Sequence, residues 1–216
     1  MSIAENLQKI KSEIPSRVKL VAVTKTYPLD VIMQAYNAGH KIFGKNRVQE
    51  LTEKHQQLPQ DIQWHLIGHL QTNKVKFITK FVSMIHSVDS MKLLAEINKC
   101  AEKINRVIDC LMQIHIAQEE TKFGLSFEEA EEIMKSKDFS SMKNIRMTGL
   151  MGMATLTDDE NQIRKEFKSL KNFFDKLNTN DSRLTTLSMG MSSDYKIAIE
   201  EGSNLIRVGS LIFGLR

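Results

Sequence analysis

Short apolar runs alternate with longer amphipathic stretches along the whole chain. Eight of the runs read as strands: Lys19–Thr24, Lys41–Gly44, Ile62–Gly68, Val82–Ser87, Val107–Ile116, Arg146–Met153, Thr185–Met189 and Leu205–Phe213. Most are nearly continuous in apolar side chains, the pattern of parallel strands covered on both faces. The stretches between them carry helical spacing. Met1–Glu13 sets Ile3, Leu7 and Ile10 on one side, and Leu29–Ala38 stops at Gly39, a residue suited to a left-handed cap. Ser126 with Glu129 three residues later predicts a capping box opening a helix over Phe127–Met134. Ile163, Phe167, Leu170, Phe174 and Leu177 share one face, and Ser193–Glu201 predicts a short helix closed by Gly202. Pro28 stands just before its helix, where proline is tolerated.

Eight strand–helix units in this length predict an α/β fold, a single (β/α)8 TIM-type barrel over residues 1–216, in preference to an open doubly wound sheet. Such a barrel carries its chemistry at the C-terminal ends of the strands. Lys25 lies there, after the first strand, on the side of Val21 and Val23. Stripped of water it becomes a neutral amine that attacks an aldehyde; left in water it is a lysine snorkelling from a strand end. Arg207 is set among apolar neighbours, so it has either an acidic partner or a ligand to face. Gly209 and Ser210 follow at once, and Ser192 and Ser193 open the helix after strand seven. These two loops are where barrels frequently bind phosphate, although an N-cap and a tight turn explain the same residues. Asn46, ending strand two, is a cap or reaches across the mouth toward Lys25's ligand. His65 and His69 read as packing or capping groups rather than a metal pair, and Met151, Met153, Met189 and Met191 as packing.

Composition removes several function classes. Hydrophobic residues at 41% and charged residues at 26% describe an ordinary globular chain. The net charge of +4 is spread through mixed segments such as Arg164–Lys165–Glu166, read as solvated helix faces. That favours small anionic ligands over nucleic acid, which needs a basic stripe. No apolar run approaches the ~20 residues that span a bilayer, and no secretory signal opens the chain. Cys100 and Cys110 are not metal-spaced and read as packing residues, so a reducing cytoplasm is the expected location. The phosphate-binding Gly-x-x-x-x-Gly-Lys-Ser/Thr loop, Gly-x-Gly-x-x-Gly, His-Glu-x-x-His and the nucleophile elbow are all missing.

Six blocks, in order, resemble the YggS/PROSC-like pyridoxal phosphate homeostasis proteins. They are Val21-Ala22-Val23-Thr24-Lys25-Thr26, Phe43-Gly44-Lys45-Asn46-Arg47-Val48-Gln49-Glu50, Trp64-His65-Leu66-Ile67-Gly68-His69-Leu70-Gln71, Gly149-Leu150-Met151, Leu187-Ser188-Met189-Gly190-Met191-Ser192, and Ile206-Arg207 through Gly214. The resemblance implies a barrel like the alanine racemase N-terminal domain, with pyridoxal 5′-phosphate (PLP) at its mouth. It implies that Lys25 forms the imine, that Asn46 lies beside the cofactor, and that Ser192, Gly209 and Ser210 hold its phosphate. Arg207 would face the pyridine nitrogen, no residue being catalytic and none a metal ligand. The implied role is PLP (vitamin B6) homeostasis, buffering and delivering the cofactor to PLP-dependent apo-enzymes without catalysis of its own. Lys45 and Arg47 depart from the family's commoner acid and aromatic, which predicts a more basic mouth.

An arginine on the ring nitrogen leaves that nitrogen unprotonated and the cofactor a weaker electron sink. A two-base racemase also needs a proton donor on the second face. In alanine racemases that donor is a tyrosine from a separate C-terminal domain of a partner subunit. Tyr27, Tyr36 and Tyr195 lack its context, and no such domain is expected in this chain, which favours a monomer. Residual racemase-type turnover stays open, as does a sugar-phosphate barrel without PLP.

Overall fold

The computed structural model describes residues 2–119, 123–178 and 184–214. Eight parallel strands close into a barrel in sequence order: β1 (Lys19–Val23), β2 (Ile42–Lys45), β3 (Gln63–Leu66), β4 (Met84–Val88), β5 (Ile108–Ile114), β6 (Ile145–Gly152), β7 (Thr186–Ser188) and β8 (Leu205–Val208). The last meets the first, with Val21 opposite Arg207 and Ala22 opposite Val208. The predicted fold class is the observed one.

Alternation along each strand divides its side chains between two cores. Leu20, Ala22, Phe43 and Trp64 point outward into a large apolar layer beneath the helices. Val21, Leu111, Met151 and Leu205 point inward to a smaller cluster within the barrel. Both faces are therefore buried, which is why the strands read as apolar runs rather than alternating ones. Packing between β6 and β7 is close. A Cβ on Gly149 would lie 1.7 Å from the Thr186 carbonyl oxygen, so only glycine fits.

The helical layer follows the predicted spacing. α1 (Ile3–Glu13) starts at a capping box formed by Ser2 and Glu5, and buries Leu7 and Ile10. α2 (Leu29–Asn37) follows Pro28, and α3 (Val48–Gln57) and α4 (Met91–Glu102) cover the next strands. α5 (Phe127–Lys135) has the expected Ser126–Glu129 box, and α6 (Lys137–Ser141) is one short turn beyond it. α7 (Glu160–Asn178) buries Ile163, Phe167, Leu170 and Leu177 as the spacing requires, with Phe173 buried as well and Phe174 only partly so. Glu166 departs from the expected solvated face. It is buried, and accepts hydrogen bonds from the Thr155 amide and hydroxyl. Cys100 and Cys110 are free thiols within the packing.

Two differences matter for the site. α8 (Tyr195–Glu200) is capped by neither Ser192 nor Ser193; its N-cap is Asp194, whose carboxylate accepts from the Met191 amide. The eighth strand ends at Val208, not Phe213, because Gly209 turns the chain into a short helix, α9 (Ser210–Phe213).

Candidate functional site

The six residues predicted from the sequence meet at one cavity. Lys25, Asn46, Ser192, Arg207, Gly209 and Ser210 all line an opening of about 630 Å³ at the C-terminal ends of the strands. Val23, Ile67, Met153, Met191 and Leu211 add apolar walls, so Met153 and Met191 face the cavity rather than serving only as packing. Residues separated by most of the chain come together because β1 and β8 are neighbours.

Lys25 sits two residues beyond the end of β1. It continues the inward side of Val21 and Val23, as alternation predicts, and its side chain reaches the cavity. The expectation that strand-end packing strips it of water does not hold: Lys25 is exposed, because it lies past the last residue of the strand. Its loop is tied down on the outside of the barrel. Lys45 is wholly buried and donates from Nζ to the Thr24 carbonyl and, at 2.8 Å, to Glu50 Oε1. Glu50 also accepts from the Thr26 amide at 2.9 Å and from Lys54 at 2.8 Å, and Lys54 donates to the Tyr27 carbonyl. Thr26 has φ 61°, a conformation that costs a β-branched residue about 1 kcal/mol or more. Lys45 therefore does not make the mouth more basic. Its neighbour Gly44 points inward, where a Cβ would meet Val21 at 2.8 Å, so Lys45 points outward behind the loop. Burial lowers its pKa to about 7, and Lys54 adds to that while Glu50 opposes it. Arg47 is exposed.

Asn46 is not a cap. The N-cap of α3 is Arg47, and no side chain bonds there. Asn46 instead lines the cavity, and its Oδ1 is buried with no hydrogen-bond partner. Gly68 allows this arrangement, since a Cβ on it would strike the Asn46 backbone at 2.5 Å. A buried orphan acceptor on a cavity wall is a place for a ligand donor.

Arg207 is almost completely buried, and no carboxylate among the described residues forms an ion pair with it. Nη1 donates to the Ser188 carbonyl at 2.9 Å and hydroxyl at 2.6 Å, and Nη2 donates to the Gly152 carbonyl at 3.0 Å. Burial lowers its pKa to about 10, with the charge of Asp194 working the other way, so it stays cationic at neutral pH. Of the two readings left open by the sequence, the acidic partner is not found among the described residues; Arg207 bonds instead to Ser188 and Gly152, and it lines the cavity. Deeper in the barrel, Ser188 Oγ lies 3.3 Å from His86 Nδ1, and His86 Nε2 lies 2.9 Å from His65 Nδ1. Arg207 can only donate, so the Ser188 hydroxyl proton is directed to His86. His65 is thus a core residue, while His69 lies 3.1 Å from Asp89 and stacks on Phe123. No metal-holding cluster exists among the described residues.

The Ser192 hydroxyl accepts from the Gly209 amide at 3.2 Å, linking the two loops after β7 and β8. In α9 the first intrahelical bonds run from Ile212 and Phe213 to the Gly209 carbonyl. The Ser210 and Leu211 amides, immediately before them, are left without an intrahelical acceptor, as at any helix start. Hydroxyls and amides therefore gather on one side of the cavity, with Lys25 and Arg207 nearby.

The chain is similar to known proteins over its whole length. The whole chain, residues 1–216, matches the family described as alanine racemase, N-terminal domain. It is 40% identical over 200 residues to a pyridoxal phosphate homeostasis protein of Aquifex aeolicus, covering 92% of this chain and 87% of that one. The chain belongs to the pyridoxal phosphate homeostasis protein family. Another member, from Synechocystis, is 37% identical and covers 96% of each chain. Among solved structures, PipY of Synechococcus elongatus with PLP bound superposes with a TM-score of 0.90 at 35% identity, covering 99% of this chain and 100% of PipY. An alanine racemase of Clostridium difficile shares the fold, with a TM-score of 0.85 at 17% identity, and this chain spans 57% of it.

What the sequence did not single out is the support of the site. Glu50 and Lys54 were visible only as an i, i+4 pair on a helix, and His86 only as a polar residue in an apolar run. The register of the strands is needed before either acquires a partner.

Proposed function

We propose that the chain, acting as one barrel domain, binds PLP at the mouth cavity through Lys25 and serves to hold the cofactor and hand it on. The observation that carries this reading is the convergence of Lys25, Asn46, Ser192, Arg207, Gly209 and Ser210 on a single cavity. The residues fit the cofactor: an amine for its aldehyde, a buried unpaired acceptor at Asn46, a fixed cation, and hydroxyls and amides for a phosphate. PLP supplies an electrophilic aldehyde carbon, on which the Lys25 nitrogen forms a C=N bond with loss of one water.

The rest of the site binds rather than converts. Ser192 and Ser210 offer hydroxyls, and the Ser210 and Leu211 amides offer donors, to a phosphate. Arg207, held by three hydrogen bonds, presents a cation that does not release its proton to the pyridine nitrogen. Among the described residues, no carboxylate lines the cavity to protonate that nitrogen and promote carbanion chemistry. Each of the three tyrosines already donates its hydroxyl proton within the protein. Tyr36 donates to Asp61, Tyr195 donates to Glu13, and Tyr27, on the cavity wall, donates to the Gly214 carbonyl at 2.7 Å. A role in buffering PLP and delivering it to apo-enzymes accounts for this balance better than racemisation does. A monomer in the cytoplasm is the corresponding setting; no helix of the described residues is long and apolar enough to cross a membrane.

The test is the visible absorption of protein loaded with PLP, followed by borohydride reduction and mass mapping. An imine band lost on reduction, with the added mass on Lys25, is the expected result. Equal PLP retention and release by the wild type and Lys25→Ala would refute the role of Lys25, and rapid Lys25-dependent amino-acid racemisation would refute the carrier reading.

A further inference from the structure

Two peptide planes meet at the Cα of Lys25, and side chains from outside the barrel bond to both. The first plane contains the Thr24 carbonyl, which accepts from Lys45 Nζ. The second contains the Thr26 amide, which donates to Glu50 Oε1 at 2.9 Å. One residue further on, the Tyr27 carbonyl accepts from Lys54 Nζ. The three side chains form one cluster, because Lys45 and Lys54 both donate to Glu50 Oε1 at 2.8 Å. All three are largely or wholly shielded from solvent, with side-chain exposures of 0%, 18% and 12% for Lys45, Glu50 and Lys54. None lines the mouth cavity, so none touches a ligand there.

We propose that Lys45, Glu50 and Lys54 are positioning residues for Lys25, fixing the two peptide planes at its Cα and so aiming its amine into the mouth cavity. This rests on the proposed role of Lys25 as the PLP-bearing residue. The orientation of two successive peptide planes sets φ and ψ of the residue between them, and with them the direction of its Cα–Cβ bond. An exposed lysine on an untethered loop would spread its amine over many directions, at a cost in side-chain and backbone freedom when it is fixed. The cluster meets that cost in the fold itself. It also explains how Thr26 holds a left-handed conformation: its amide donates to a carboxylate already held by two ammonium groups, a charge-assisted bond stronger than a neutral one. Lys45 is here a structural donor facing away from the mouth cavity, despite being the direct neighbour of Asn46 in sequence.

The test uses the full chain as wild type, Glu50→Gln, Lys54→Met and Lys54→Arg. The first measurement is amide hydrogen exchange at Thr26 in protein free of cofactor. The second is the rate of imine formation with pyridoxal, which lacks the phosphate and so reports the amine rather than the phosphate contacts. Borohydride trapping confines that reading to Lys25. Glu50→Gln is expected to speed Thr26 exchange and slow Lys25 imine formation, each about ten-fold, the scale of one lost hydrogen bond to a charged group. Lys54→Met should give a smaller change in the same directions, and Lys54→Arg should restore the wild-type rate. If Glu50→Gln fails to fold with Lys45 buried beside it, Lys54→Met and its rescue decide the matter. Folded variants that trap Lys25 at the wild-type rate, despite faster Thr26 exchange, would make the cluster a stabilising device only and overturn the proposal. A wild-type protein that forms no link at Lys25 refutes the cofactor reading before any variant is compared, whereas Thr26 exchange reports on the clamp by itself.

Discussion

Acid should unfold this protein well before its carboxylates titrate, and the reason lies in three buried imidazoles. His40, His65 and His86 are 5%, 6% and 0% exposed. Burial lowers the pKa of His40 to about 4, helped by the charge of Lys11 and opposed by its bond to the Ile42 carbonyl. Burial lowers His65 to about 3, with Lys19 adding to the effect. His86 falls well below the ordinary value through burial first, then the charges of His65 and Arg207. Each therefore stays neutral in the folded state at pH 5, while in the unfolded chain it protonates below about pH 6.5. The unfolded state then binds more protons, so stability is intact above pH 6.5 and falls as the pH drops below it. Between pH 7 and pH 5 one such group costs about 2 kcal/mol, and three cost about 6 kcal/mol, a large share of a typical domain's stability. For His40 and His65 the figure depends little on the folded values, because both lie below 5. Glu131, Asp61 and Glu50, whose values are lowered, begin to cost stability only below this window, and Lys45 titrates above it. Urea unfolding at a series of pH values measures the slope. In His86→Gln the amide oxygen can accept from Ser188 and the amide nitrogen can donate to His65, but nothing titrates. The loss between pH 7 and pH 5 should shrink to about 4 kcal/mol. An unchanged slope in that variant would show that His86 is not a neutral buried group and would refute the reasoning.

Three further outcomes are expected. Gly149→Ala places a Cβ 1.7 Å from the Thr186 carbonyl oxygen, forcing β6 from β7, and should cost at least about 3 kcal/mol or prevent folding, read as a fall in the urea midpoint or in soluble yield. Asn46→Ala removes an acceptor that has no partner within the protein, so stability should change by less than about 0.5 kcal/mol while PLP retention falls several-fold, measured by unfolding and by equilibrium dialysis. Ser192→Ala should weaken PLP about ten-fold and leave pyridoxal binding unchanged, since only the phosphate would lose a partner; equal losses for both vitamers would remove Ser192 from the phosphate site.

Much of the fold was legible because a doubly covered parallel strand writes itself as a short apolar run, and the eight runs fell in the order of the barrel. The cavity residues were legible because the barrel places strand ends at one mouth. The failures share a cause, which is that a run of apolar letters carries no direction. Leu211, Ile212 and Phe213 fit a strand as well as the short helix they form, and only the turn at Gly209 separates them from β8. The departure of Lys45 from the family's commoner acid predicts a more basic mouth, although Gly44 occupies the inward position of β2 and sends Lys45 to the other side. The solvation of Lys25 could not be read from its place after a packed strand, because two residues of loop were enough to carry it into water. His86 and Ser188 acquire meaning only once β4 and β7 face each other across the barrel interior, a distance of 102 residues along the chain.

The seam between β1 and β8 has a bearing on how the molecule is made. Lys25 leaves the ribosome more than 160 residues ahead of Ser192, Arg207, Gly209 and Ser210. A nascent chain on the ribosome thus presents the Lys25 amine long before the opposite wall of the pocket exists. On the proposed role of Lys25, vitamer capture at full strength waits until β8 docks against β1, so loading reports a closed barrel.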